Sequence, residues 1–277
     1  MTMPAYSLTE ERGLLLPRLV PRADAEPATI ALQPGVYRVS GLVSVGTLAI
    51  WGVGGAGNTV LVADPPGRLW SIAGGSLMLR GVPLRGGVAP SGGALELVND
   101  AKVLIEECWL EGYRAVRERG GAIAVSDSAS LELARCRLIG NDTPWGGAIA
   151  VVGEATARID HCSFRENQAR CGGALFCDQT AQVEVVASSF LNNAAKEGPI
   201  GGGALLVIGG ATNGPEVRVA RSVFVGDYPI VRDPEGAGSL VISGCTVPPG
   251  ALAAVDHEGD GNVEFTDPAA VPAPEED

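Results

Sequence analysis

Aromatic side chains make up only 5% of the 277 residues, and positive charge is outweighed, leaving a net charge of -12 and a pI near 4.7. A negative outer field repels phosphate backbones, which excludes nucleic acid as a partner. No run reaches the ~18 apolar residues of a membrane span, so no membrane partner is expected. Residues Met1 to Gly13 lack a basic segment followed by an apolar one, and Pro17 stops Leu14-Leu15-Leu16 at once. That start reads as cytoplasmic. Among the six cysteines, Cys171 and Cys177 have neither CxxC spacing nor a nearby histidine, so no metal or other cofactor is expected.

What is abundant is small and apolar: 46% hydrophobic residues with 39 glycines. This suits narrow coils filled by Val, Leu, Ile and Ala rather than a helical bundle. A Gly-Gly-Ala motif recurs with its second glycine at Gly93, Gly121, Gly147, Gly173 and Gly203, in steps of 28, 26, 26 and 30 residues. A second motif tracks it, an alternating strand running into Cys108, Cys136, Cys162, Ser188, Ser222 and Cys245. One turn per ~26 residues, with period-two alternation and no helix-length segment between strands, is too short for βαβ units. The fold class is all-β, a right-handed parallel β-helix forming one solenoid over residues 29–265. A cap is expected over 1–28, with a helix starting at Ser7-Leu8-Thr9-Glu10-Glu11-Arg12, and a disordered acidic tail over 266–277.

Leu32-Gln33-Pro34-Gly35-Val36-Tyr37 followed by Ile50-Trp51-Gly52-Val53-Gly54-Gly55-Ala56-Gly57-Asn58 resembles the first coils of pectate-lyase-like β-helix proteins. The middle of the chain resembles the repeats of chlamydial polymorphic outer membrane proteins. GGAI stands at Gly120 to Ile123 and Gly146 to Ile149, and FxxN at Phe164 to Asn167 and Phe190 to Asn193. These resemblances imply the β-helix fold, and they admit sugar cleavage or surface adhesion as functions.

Equivalent positions on successive coils lie one strand spacing apart, about 4.8 Å, so chemistry is read down columns. One outward column, Leu104, Glu132, Arg158, Glu184 and Arg218, alternates in sign; its neighbour holds Glu107, Arg135, His161, Ala187 and Arg221. Such pairing neutralises charge instead of tuning it for catalysis. A sugar groove around Glu132, Arg158, Asp160, His161 and Glu184 is the competing reading. It lacks the clustered aspartates or calcium-carboxylate site that the pectate-lyase resemblance would supply, and no catalytic residue is assigned. The Cys108, Cys136 and Cys162 ladder reads as reduced and buried, and Asn141, Asn167, Asn193 and Asp227 as a turn ladder. Gly52 to Gly57 satisfies GxGxxG without the helix that dinucleotide binding needs. The run Asp256 to Asp267 resembles a calcium loop but reads as an acidic turn.

The strand after each Gly-Gly-Ala puts Glu96, Ala124, Ala150, Phe176 and Leu206 on one outward strip, largely apolar. A flat apolar strip asks for cover, by the chain itself, a protein partner or a second copy. The favoured function is accordingly a non-catalytic scaffold or protein-interaction module, such as an accessory component or target within a larger bacterial system, and not an enzyme. A carbohydrate-binding or carbohydrate-cleaving β-helix and an adhesin-like repeat are the alternatives. Turns that interrupt the repeat, including Tyr113 to Arg119 with three arginines, are where specificity should sit.

Overall fold

The computed structural model describes residues 5–9, 20–21, 25–55, 57–63, 67–197, 201–227, 229–253 and 259–264. Every regular element among them is a strand. The chain winds as a right-handed parallel β-helix through four sheets, here called I to IV, of ten, ten, eight and five strands. One coil runs from sheet III (Ile123–Val125) to sheet I (Ser130–Ala134), sheet II (Arg137–Ile139) and sheet IV (Asp142–Trp145), then re-enters sheet III at Ile149–Val151. The register is in phase, with Ile123 paired to Ile149, Leu131 to Ala157 and Leu138 to Phe164. Period-two alternation turns Leu131 and Leu133 inward and Glu132 outward, which is why the strands read as strands.

Three ladders fill the interior. Phe164, Phe190 and Phe224 stack with centroids 4.7 Å apart and planes 4° from parallel. At the corner between sheets I and II the backbone takes a left-handed residue (Glu107, Arg135, His161, Ala187, Arg221), and the next side chain turns in. That side chain is Cys or Ser because it must hydrogen-bond, not merely be small. Cys162 N–H donates to Ser188 Oγ at 3.0 Å and Ser188 N–H to Ser222 Oγ at 3.1 Å, while Ser188 Oγ donates to the Val186 carbonyl at 2.8 Å. Cys136 N–H likewise reaches Cys162 Sγ at 3.4 Å. Burial pushes the Cys108 and Cys162 thiols up, so they stay protonated donors. The third ladder, at the end of sheet II, is Asn141, Asn167 and Asn193, linked amide to amide.

Tyr113 occupies the asparagine position one coil earlier, donating its N–H to Asn141 Oδ1 at 3.0 Å. Its hydroxyl is buried with no partner among the described residues. A buried orphan hydroxyl costs about 1–3 kcal/mol, so Tyr113→Phe should stabilise the protein by roughly 1 kcal/mol. A rise in the denaturant midpoint at unchanged slope is the expected reading, and a fall would mean the hydroxyl is satisfied.

At the amino terminus Ser7 and Leu8, where a helix was expected to start, lie in a strand, and Glu10 to Arg12 lie outside the described residues. Ala5–Leu8 pairs in parallel with Ala28–Leu32, and Tyr37 Oη donates to the Leu8 carbonyl at 2.7 Å. The first rung of sheet I offers a row of unpaired backbone groups, and adding a strand satisfies them while burying Leu8. At the other end, Asn262 accepts from Cys245 N–H at 3.0 Å and donates to the Ile242 carbonyl at 2.9 Å, carrying the corner ladder past Cys245 to the last described rung. Most of the Asp256 to Asp267 run, and the tail over 266–277, lie outside the described residues.

Candidate functional site

The Glu132, Arg158, Asp160, His161 and Glu184 group lies on the flat outer face of sheet I and its corner. Arg158 forms an ion pair with Glu184, and His161 Nδ1 lies 3.0 Å from Asp160 Oδ1. About half of the Arg158 and Glu184 side-chain surface is open to water. Exposed pairs of this kind contribute 0–1 kcal/mol and make no cleft. The same pairing recurs at Arg80, Glu107 and Arg135.

The apolar strip is not the open surface that the sequence suggests. Ala124, Ala150, Phe176 and Leu206 are all buried, and Glu96 is half-buried. The chain itself is the cover. Sheet IV and the turn after it run beside sheet III, and Cys171, Val152, Trp145, Ile208 and Val231 close over Ala150, Phe176 and Leu206 as a second small core. This corrects the expectation that the strip is an exposed apolar surface, because the chain itself already removes that area from water.

Where the strip residues shrink to Ala124 and Ala150, the same corner stays open as a groove of about 330 Å³. Its walls are Ser91, Glu96, Arg117, Glu118, Arg119 and Trp145, with Val125, Ser126 and Val152. The three-arginine turn is pinned by Glu118 N–H and Arg117 N–H to the Pro90 carbonyl, at 2.9 and 3.3 Å, and by Ser91 Oγ donating to the Arg119 carbonyl at 3.2 Å. Arg119 bridges Trp145 in parallel, and Trp145 pairs with Cys171, so the residues preceding successive Gly-Gly-Ala motifs form a column of their own. Trp145 stands at the end of the groove, tilted 51° against Phe176 at 5.3 Å.

Behind the groove, Arg68 forms an ion pair with Glu96 and lies 3.2 Å from Ser71 Oγ. Burial lowers the Arg68 pKa and the charge of Glu118 opposes that shift. A guanidinium stays charged regardless. Neither Arg117 nor Arg119 has a carboxylate partner among the described residues. Two free guanidinium groups and an aromatic face, flanked by two carboxylates, form a site for a polar ring carrying negative charge.

Of the sequence-predicted residues, the structure brings Glu96, Ala124 and Ala150 into this groove and leaves the His161 group elsewhere. Sequence reasoning missed Arg68, Ser91, Trp145 and the joint role of Arg117 to Arg119. The irregular arginine turn and the position before each Gly-Gly-Ala were the available signals.

Comparison with known proteins agrees on the fold. The family described as "Right handed beta helix region" matches residues 87–224. No curated protein sequence matches the chain. Among solved structures, an alginate lyase from Paenibacillus sp. str. FPU-7 is similar at a TM-score of 0.61 and 12% identity, over 95% of this chain and 96% of that one. A PL6 family alginate lyase is similar at 0.49 and 10% identity, covering 88% of this chain and 35% of that one. The rice weevil pectin methyl esterase is similar at 0.42 and 12%, covering 86% and 74%. The first of these, an enzyme sharing the fold over its whole length, corrects the expectations of a non-catalytic scaffold and of no enzyme activity as far as they were read from the fold. In coil register, sheet topology and family match, the chain is a right-handed parallel β-helix.

Proposed function

We propose that the protein is a carbohydrate-active β-helix that binds an acidic polysaccharide along the groove and cleaves it. The observation that carries this reading is the joint placement of Arg117, Arg119, Glu96, Glu118 and Trp145 around one cleft. The whole-length likeness to an alginate lyase supports it at the level of fold. A linear polysaccharide laid along the solenoid axis meets one rung after another, about 4.8 Å apart, so a repeating ligand matches a repeating protein.

Each residue has a role. Arg117 and Arg119 neutralise uronate carboxylates, and Trp145 stacks a sugar ring. Arg68 holds the Glu96 carboxylate in place at the rear wall. With the sugar carboxylate neutralised, its α-proton is acidified, and Glu118 is the carboxylate placed to take it. The C5–H electron pair then forms the C4=C5 double bond, the C4–O bond breaks, the leaving oxygen takes a proton from water, and the hydroxide so formed takes the proton from Glu118, restoring its carboxylate.

Incubation with alginate and with polygalacturonate, followed by ultraviolet absorbance of the unsaturated product, tests the proposal. Charge-assisted contacts are worth about 1.5–3 kcal/mol each, so the Arg117→Ala, Arg119→Ala double variant should lose tenfold or more in kcat/KM. Binding without an unsaturated product would remove the elimination chemistry and keep the groove. Equal activity of wild type and double variant, or no binding of any acidic polysaccharide, would refute the assignment.

A further inference from the structure

Beyond the end of the groove lies a cluster that the proposed binding does not itself use. Glu197, in the turn after Ala194–Ala195, spends its two carboxylate oxygens on different partners. Oε1 accepts from Arg170 Nε, and Oε2 accepts from the Cys171 thiol at 2.9 Å. Its backbone is set by the rung ladder, with Glu197 N–H donating to the Arg170 carbonyl at 3.1 Å and Lys196 N–H to the Ala169 carbonyl at 2.9 Å. Arg170, so held, places its guanidinium carbon 5.8 Å from the centroid of the Trp145 ring. Phe176 packs against that indole, and Cys171 sits one rung beside it.

We infer that Glu197, Arg170 and Cys171 form a positioning clamp that fixes the Trp145 indole as the sugar-stacking platform at the end of the groove. The inference rests on the carbohydrate reading above and names what sets the geometry of its aromatic subsite. A half-buried tryptophan at the mouth of a cleft has rotamer freedom to lose, and a platform that is already ordered avoids that loss on binding. A surface ion pair alone would not engage a buried thiol, nor would it end over the ring that closes the groove. Arg170 has a further consequence, since a guanidinium over the ring adds positive charge where the chain of sugar carboxylates would continue.

The clamp holds across neutral pH. Hydrogen bonds from Cys171, then from Arg170, keep the Glu197 carboxyl below its ordinary range. Burial, followed by the hydrogen bond to Glu197, pushes the Cys171 thiol up to about 12, so it remains a donor.

Near-ultraviolet circular dichroism of the full chain, wild type minus Trp145→Phe, isolates the Trp145 signal from the other tryptophans without any ligand. Binding of an alginate oligosaccharide is measured by calorimetry on the same proteins. Arg170→Met and Glu197→Gln should each cut the Trp145 signal by at least half and weaken binding about two- to fivefold. Cys171→Ser, which keeps a donor, should behave as wild type, and Cys171→Val should resemble Glu197→Gln. Arg170 is exposed enough that its variant folds even where a Cys171 variant does not. An unchanged Trp145 signal in folded Arg170→Met overturns the clamp, whatever the binding. A lost signal with wild-type affinity overturns the platform role while leaving the carbohydrate reading intact. Absence of oligosaccharide binding by the wild type itself removes both.

Discussion

A Gly147→Ala chain is expected to lose its cooperative fold, with a stability deficit above about 4 kcal/mol. The reason is the distance between rungs. A Cβ on Gly147 would lie 1.9 Å from the Gly173 carbonyl oxygen and 2.7 Å from that of Gln168, both backbone atoms that cannot rotate away. Gly121 and Gly173 face the next rung in the same way, at 2.0 and 1.9 Å. Relief would require the coils to separate, which breaks the ladder on both sides. Gly140 is the control. It holds a left-handed conformation with φ of 61°, but a Cβ there meets nothing within 4 Å. Gly140→Ala should therefore cost only the conformational strain, about 1–2 kcal/mol. Denaturant titration of the two variants measures the difference, and a Gly147→Ala deficit within 1 kcal/mol of the control would refute the rung-contact account.

The second large effect is expected at Asn167, whose amide is fully used. Its Nδ2 donates to the Leu138 carbonyl and to Asn193 Oδ1, both at 2.9 Å, while its Oδ1 accepts from Asn141 Nδ2 at 2.9 Å and from Asn141 N–H at 3.0 Å. Asn167→Asp keeps the shape and the acceptor but turns the two donor contacts into carboxylate facing carbonyl. A buried charge of that kind costs several kcal/mol, so the new carboxyl will be neutral in the folded chain at pH values where it is ionised in the unfolded chain. Its folded pKa is thus raised above the unfolded value of about 3.9. Below the unfolded value the variant should be short of wild type by about one hydrogen bond, roughly 1 kcal/mol. Stability is then lost as the pH rises from that value to the folded pKa, beyond which the deficit is constant. Asn167→Ala carries no such titration, so the difference between the two variants, followed from pH 5 to 8, isolates the effect. A difference that does not change with pH while Asn167→Asp remains the weaker would show that the site admits water.

The coil was legible because it is a local property repeated many times. Alternation at Val103, Ile105, Leu131 and Leu133 faces one interior, and the Gly-Gly-Ala step equals the rung register found for Ile123, Ile149 and Leu175. The Asn141, Asn167 and Asn193 column was legible for the same reason, whereas Asp227, expected as its next member, is exposed. The cysteine ladder was half legible. Burial was expected, but the hydrogen bonds that make Cys and Ser interchangeable there depend on the left-handed corner before them, which no strand pattern announces.

The strip shows where columns stop being enough. Period two correctly sends Phe176 and Leu206 away from the solenoid interior, yet they are buried, because outward from one sheet is inward to the angle between two. Sequence alone determined the repeat, the inward faces, the ladders and hence the parallel β-helix, since each follows from side-chain alternation and from what fits between rungs. Tertiary structure alone decided that sheet IV folds back beside sheet III. That placement fills one length of the corner with Cys171, Phe176 and Leu206. It leaves the alanine-lined length open between Trp145 and the arginine turn, because where the corner lies depends on the angle between sheets and not on any residue's neighbours in the chain.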